Sequence, residues 1–383
     1  MAKGLVLAGG GALGAYQIGA YEALLELGHK FDIITGTSIG ALNGSFIASD
    51  MFEELKGLWD NMVPQDVVVG GENLNITTAR DILKSNNKSM VKTYIKNKMS
   101  LDNNPLKQYM GNAFDFHKFY ECQTRIGIVT TQVPRFREVD IDLKLVRSDH
   151  VIPYLFASSA CAPIFPHETI DNKKYIDGFY SDNLPVKFCF EMGATDVVAI
   201  DMRLFGLKPK NQYLLDLPNV KYIAPYISLG SMIDFSQETI QKNKQLGYLD
   251  VKKAYKVLRG YYYCFNHDFI VDGFLTRIIN KYQAKSKIIF NILSEGIREP
   301  MDEYDYLYRT IEIIFEHFEI DNYYKIYNKD DIIKTIKREL LNNQYKAPAF
   351  MNSKSIFNIY LTQFINEFIL LNDDLQISLD FSE

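Results

Sequence analysis

Within its first 48 residues the chain twice repeats one order: a short apolar run, a glycine turn, then apolar residues at helical spacing. Gly4–Ala8 is the first run, Gly9-Gly10-Gly11 the turn, and Ala12–Leu27 the helix, with Gly28 placed to cap its end. Phe31–Thr35 is the second run, broken at Gly36, and Ile39–Ala48 the second helix. A helix after each strand carries the chain back to the end where the strand began, so successive strands run parallel. The expected fold is α/β, a mostly parallel sheet flanked by helices. Further strands are expected at Arg125–Val133 and Val197–Asp201, the second after a helix ending at Gly193. Between Trp59 and about Phe119 the chain is more polar, with turn-forming Pro64, Gly70-Gly71 and Asn86-Asn87, and helices capping the sheet are expected. Past Gly260 glycines thin out, which predicts a helical C-terminal region and divides the chain into residues 1–259 and 260–383.

The second turn carries chemistry. Gly36-Thr37-Ser38-Ile39-Gly40 is a G-x-S-x-G between a strand and a helix. A serine on so tight a turn is held in strained backbone, with small neighbours that let the chain pack close. Its hydroxyl projects at a helix N-terminus, where developing negative charge is favoured. The same five residues in an ordinary loop would mean nothing, and it is the strand and helix around them that make Ser38 a candidate nucleophile.

The first turn, Gly9-Gly10-Gly11-Ala12-Leu13-Gly14, presents backbone N–H groups that can converge on an anion, such as the oxygen of a tetrahedral intermediate. Gly9, Gly11 and Gly14 also fit G-x-G-x-x-G, the dinucleotide signature, which wants an acidic residue at the end of the second strand. Asp32 stands at the beginning of that strand instead, so the dinucleotide reading fails.

A serine needs a base. Tyr175-Ile176-Asp177-Gly178, followed by Asn183-Leu184-Pro185, offers Asp177, although Asp-Gly is in isolation an ordinary turn. The order Ser38, Asp177, His267 would also suit a three-residue relay. His267 sits in no recognisable setting, and His29, His117, His150, His167 and His317 read as structural.

Taken in order, these segments resemble the patatin-like phospholipase family in its bacterial branch. The resemblance rests on Gly9–Gly19, Gly36–Gly40 and Tyr175–Gly178. Between and after them lie Ala157-Ser158-Ser159-Ala160 with Pro163 and Phe165-Pro166, then Asn183-Leu184-Pro185 and Gly193-Ala194. It covers about residues 1–250 and leaves the tail unexplained. It implies a patatin-like three-layer fold and a Ser38–Asp177 dyad, with Asp177 as base and an acyl-enzyme intermediate. The activity implied is a lipid acyl hydrolase of phospholipase A or lysophospholipase type, with Gly9 to Gly14 as the oxyanion loop. Two positions depart from the family pattern: Leu13 stands where a cation is usual, and Phe179 where a small residue is usual. An acyltransferase using the same dyad, or a catalytically weak lipid-binding module, are the alternatives.

Composition narrows the remainder. A net charge of −5 argues against a dedicated nucleic-acid binder. Cys122, Cys161, Cys189 and Cys264 have no metal-ligand spacing, so buried free thiols are expected, with no metal or cofactor. The apolar core at the N-terminus is only Leu5–Ala8, too short for a secretory signal, and no stretch reaches membrane-span length. A cytoplasmic protein with peripheral membrane contact and a phospholipid or lysophospholipid substrate is expected. Tyr261-Tyr262-Tyr263, near Lys and Arg, reads either as a lipid-interface anchor or as the aromatic core of a helical cap.

Overall fold

The computed structural model describes residues 2–69, 101–162, 164–206, 208–269, 272–342 and 355–370. Gly70-Gly71, Asn86-Asn87 and Pro163 lie outside the described residues. The chain forms two compact units, Met1–Val251 and Lys252–Glu383.

The first unit is built on a sheet whose strands are β1 (Lys3–Leu7), β2 (Ile33–Thr37), β3 (Arg125–Val133), β4 (Arg137–Asp142), β5 (Glu168–Ile170), β6 (Lys173–Asp177), β7 (Asp196–Ile200) and β8 (Val220–Ile223). Its order is β5-β6-β3-β2-β1-β7-β8, with β4 on β3. The central run β3-β2-β1-β7-β8 is parallel, while β4, β5 and β6 pair antiparallel. Helices α1 (Ala15–Glu26) and α2 (Ile39–Ala48) return the chain between parallel strands. All five residues of β2 and all ten of α2 are buried, which is why both read as near-continuous apolar runs rather than alternating ones.

Further helices are α3 (Phe52–Asn61), α4 (Pro64–Val67), α5 (Asn104–Ala113), α6 (Phe116–Glu121), α7 (Ser148–Ser158), α8 (Val186–Glu191) and α9 (Gln237–Ala254). Pro64, expected to make a turn, opens α4 instead; a proline is tolerated in a first helical turn, where its missing N–H would have no partner. The second strand was expected to break at Gly36 but runs through it to Thr37. Glycine is needed there because a Cβ would fall 2.3 Å from the carbonyl oxygen of Gly40, where α2 folds back over the strand. Gly28 closes α1 at φ +78°, as its place in the sequence suggests.

One feature of register positions everything that follows. β3 pairs with β2 from Arg125 to Val129, and with β6 from Thr130 to Val133. Its other edge is occupied by β4 through Gly127–Gln132. A strand has two edges, so β2 and β6 must meet end to end along the same one. Thr37 lies opposite Val129, and Asp177 opposite Thr130. The residue after Thr37 therefore emerges beside Asp177, although 139 positions separate them in sequence.

The second unit contains α10 (Phe274–Tyr282), α11 (Ser286–Leu293), α12 (Glu303–His317), α13 (Lys329–Asn342) and α14 (Ile356–Phe364). Its helical character agrees with the sequence, but it also holds a parallel pair, β9 (Cys264–Phe265) with β10 (Ile326–Tyr327), that two-residue runs do not announce. Of the Tyr261–Tyr263 run, Tyr263 belongs to its interior and Tyr262 packs against it. Glu312, fully buried, accepts the backbone N–H groups of Tyr261, Tyr262 and Tyr263 at 2.6, 2.8 and 3.0 Å. Tyr263 is fully buried and the Tyr262 ring lies under Arg309. The aromatic-core reading fits Tyr263 and, packed against that core, Tyr262. Among the described residues no helix is long and apolar enough to cross a membrane.

Candidate active site

Ser38 sits at φ +55°, ψ −125°, a conformation that costs a non-glycine residue on the order of 1–3 kcal/mol and persists only where its surroundings enforce it. The enforcement comes from both sides. A Cβ on Gly40 would lie 2.2 Å from the Leu7 carbonyl oxygen, so α2 approaches β1 as closely as backbone allows. The Thr37 hydroxyl donates to the Asp182 carbonyl at 2.8 Å, and Ile39, buried, lies against Gly14. All five residues of the elbow are thus held, and only the serine's side chain is free to face a ligand.

That side chain donates to Asp177 Oδ2 at 2.7 Å. Asp177, 2% exposed, accepts the Phe179 backbone N–H on Oδ1 at 2.8 Å, while its own N–H goes to the Ala160 carbonyl at 3.0 Å. Burial pushes its carboxyl up to about 7, against the lowering effect of the Phe179 amide and the Ser38 hydroxyl. A carboxylate titrating there is a far better base at neutral pH than an ordinary aspartate. Phe179 serves Asp177 through its backbone N–H, which any residue but proline would provide; its ring packs edge-on to Tyr180 at 5.4 Å.

Among the described residues no histidine bonds the Ser38 or Asp177 side chain. His267 belongs to the second unit, edge-to-face with Tyr304 at 4.2 Å. His117 faces Glu121 at 3.1 Å and His150 faces Asp171 at 3.5 Å. Burial, the largest influence on Asp177, is joined by no histidine.

The glycine loop is more selective than its sequence suggests. Gly9 N–H donates to the Asn183 carbonyl at 3.2 Å, Ala12 N–H to Met232 at 2.8 Å, and Leu13 N–H to Gly10 at 3.2 Å. Gly14 closes the short 3-10 turn that begins at Gly11. Gly10 and Gly11 are the loop residues whose N–H groups meet no carbonyl among the described residues. Gly11 is at φ +56°, and a Cβ there would lie 2.2 Å from the Met232 carbonyl oxygen. A Cβ on Gly9 would lie 2.9 Å from that of Ser38, so the loop packs directly on the elbow. Of the six residues expected to form one anion cradle, Gly9, Ala12 and Leu13 thus have their N–H groups bonded to backbone carbonyls.

Four side chains that hold this arrangement were given no role by the reading of the sequence. Ser158 donates to the Val129 carbonyl at 2.6 Å and accepts the Ser38 backbone N–H at 2.9 Å. It bridges the point where β2 ends and β6 begins. Asn183 donates through Nδ2 to the Gly9 carbonyl at 3.2 Å, doubling the backbone bond. Gln17 donates to the Ala8 carbonyl at 2.7 Å, and Asn43 donates to Gln17 at 2.9 Å and to the Gly14 carbonyl at 3.2 Å. Both ends of the loop are thus tied to one buried polar network, which Trp59 Nε1 completes by donating to Asn43 Oδ1 at 3.0 Å. The available signal was a polar residue inside an otherwise apolar helix, since such a group is buried only with a partner. Asp32, out of place for a dinucleotide, accepts the Lys3 backbone N–H at 2.8 Å where β1 begins, the end of that strand away from the loop.

Residues 5–190 match the family model described as patatin-like phospholipase. The lysophospholipase nte1 of Aspergillus terreus is 30% identical over 207 residues, which are 52% of this chain and 12% of that protein. The neuropathy target esterase sws of Drosophila melanogaster is 27% identical over 205 residues, 52% of this chain and 13% of that protein. The chain therefore spans about an eighth of the length of these curated relatives. Among solved structures, VipD from Legionella pneumophila superposes with a TM-score of 0.44 at 13% identity, over 97% of this chain and 86% of that one.

Proposed function

We propose that this chain, whose residues 5–190 form a patatin-like phospholipase domain, hydrolyses acyl esters of phospholipids or lysophospholipids with Ser38 as nucleophile and Asp177 as base. The observation that carries the proposal is the 2.7 Å bond from the Ser38 hydroxyl to a buried carboxylate, made from a strained strand-to-helix turn.

In the first half-reaction Ser38 Oγ attacks the acyl carbonyl as its proton passes to Asp177. Even at about 7, Asp177 is a far weaker base than a serine alkoxide, so the transfer must be coupled to charge appearing on the carbonyl oxygen. Gly10 and Gly11 N–H would receive that charge, and a single such donor is typically worth on the order of 10²–10³ in rate. Collapse of the intermediate breaks the ester C–O bond, and the alcohol leaves with the proton held by Asp177. In the second half-reaction Asp177 takes a proton from water as it attacks the acyl-enzyme; collapse breaks the acyl–Oγ bond, Asp177 returns the proton to Ser38, and the fatty acid is released. The similarity of residues 5–190 to lipid esterases supports the lipid substrate, and the dyad geometry supports the covalent route.

The test is intact-mass analysis after treatment with a fluorophosphonate, with peptide mapping. One adduct on Ser38, lost in Ser38→Ala and strongly slowed in Asp177→Asn, is the expected result. Absence of an adduct from folded protein would overturn the nucleophile assignment. Product analysis with added lysolipid distinguishes hydrolysis from acyl transfer through the same acyl-enzyme.

A further inference from the structure

A cavity of about 640 Å³ borders the glycine loop at Leu13. That volume suits a ligand of small-molecule size. Gly9 faces Ser38, whereas Gly10 faces Met202, whose Cε would lie 2.8 Å from an added Cβ. Ala12 N–H is bonded to Met232. Leu13, Met202 and Met232 all line the cavity, so the loop is a wall shared by the nucleophile and this space.

The lining is apolar apart from a few groups, of which Arg203 is the one cation among the described lining residues. Arg203 follows β7 at φ +47°, an uncommon conformation for a residue with a side chain. Asp201 fixes it: Oδ1 accepts the backbone N–H groups of Met202 and Arg203 at 2.7 and 3.1 Å, and Oδ2 accepts the Tyr222 hydroxyl at 2.7 Å. Asp201 thus holds the turn and Tyr222, and its charge also acts on Arg203. The guanidinium rests over the Tyr226 ring at 4.9 Å, hydrogen-bonds Tyr222, and makes no salt bridge among the described residues. The loop itself, Gly9 to Gly14, contains no charged side chain. A guanidinium with no salt-bridged carboxylate among the described residues, lining a largely apolar space that shares the glycine loop, suits an anionic amphiphile.

Building on the hydrolase reading, we propose that Arg203 binds the phosphate of the substrate and so makes the enzyme selective for phosphate-bearing lipid esters over neutral ones. The planar guanidinium matches two phosphate oxygens, and the apolar lining keeps water from weakening the contact. Arg203 would be a specificity-determining residue for the same reaction.

The test compares kcat/KM on lysophosphatidylcholine with kcat/KM on p-nitrophenyl butyrate, in wild type, Arg203→Gln and Arg203→Lys. The ratio of the two is expected to fall about tenfold or more in Arg203→Gln, as loss of a hydrogen bond to a charged group implies. The fall should come through KM on the lysolipid, with partial recovery in Arg203→Lys. An unchanged ratio would overturn the proposal, as would a loss confined to kcat on both esters. Inorganic phosphate distinguishes a lipid subsite from a site for free phosphate. Weak competition, with millimolar phosphate needed, supports the former, and saturation at micromolar phosphate overturns it. The hydrolase reading stands or falls separately, on Ser38-dependent cleavage of p-nitrophenyl butyrate.

Discussion

Replacing Asp177 by asparagine should cost activity and raise stability, and the second effect should depend on pH. The native carboxyl is pushed up from its ordinary 3.8 to about 7 because it is buried. Between those two values the folded state holds a proton that the unfolded chain has released, so stability falls as pH rises through the window and levels off above 7. About three units at about 1.4 kcal/mol each put the penalty on the order of 4 kcal/mol at pH 8, and only about 1–2 kcal/mol near pH 5. Asparagine retains an oxygen for the Phe179 N–H and carries no charge, so it escapes the penalty at both values. Urea unfolding of the full chain at pH 5 and pH 8 would measure this. Trp59 is the single tryptophan in the sequence, is fully buried, and lies in the same unit as Asp177, so its fluorescence reports the relevant transition. The advantage of Asp177→Asn should be larger at pH 8 by roughly 2 kcal/mol, while kcat falls by on the order of 10²–10⁴. An advantage equal at the two pH values would refute the argument from burial. Full activity in the variant would refute the role of Asp177 as base.

Three further outcomes follow from the same geometry. For the wild type, kcat/KM should rise with pH through one ionisation near 7, the value to which burial lifts Asp177, and a profile flat from pH 5 to 9 would contradict this. Ser158→Ala removes the hydroxyl between Ser38 N–H and the Val129 carbonyl, and should cost about 1–3 kcal/mol in urea unfolding for the unsatisfied buried groups. It should also slow fluorophosphonate labelling, since the elbow loses its anchor. Gly11→Ala and Gly28→Ala both place alanine at positive φ, but a Cβ at Gly28 meets open space whereas one at Gly11 meets the Met232 carbonyl at 2.2 Å. Gly28→Ala should cost about 1–2 kcal/mol of stability with labelling of Ser38 retained, while Gly11→Ala should lose labelling.

Local sequence determined the units whose rules act over a few residues. The alternation of apolar run, glycine turn and helix was enough for β1, β2, α1 and α2, because parallel connection follows from a helix between strands. Ile39–Ala48 and Arg125–Val133 appear with the bounds the residues suggest. Ser38 was legible for the same reason: a strained turn must be written with Gly36 and Gly40, whose missing side chains are visible in the sequence. Strands β4, β5, β6 and β8 were not legible, since strands of three to six residues carry a pattern too brief to separate from turns.

Tertiary structure decided what depends on distant partners. That Asp177 is a strand end rather than an ordinary Asp-Gly turn follows from β6 taking over the edge of β3 that β2 leaves. Its burial, and with it the raised pKa, exists only once that junction has formed. Which loop amides remain available was set by acceptors far along the chain, at Asn183 and Met232, and the support at Ser158 by the Val129 carbonyl it reaches. The sequence could name the residue types that acyl transfer needs, because those are chemical requirements. It could not say which backbone donors stay uncommitted, because such a group is left free only by the absence of a neighbour that folding might have supplied.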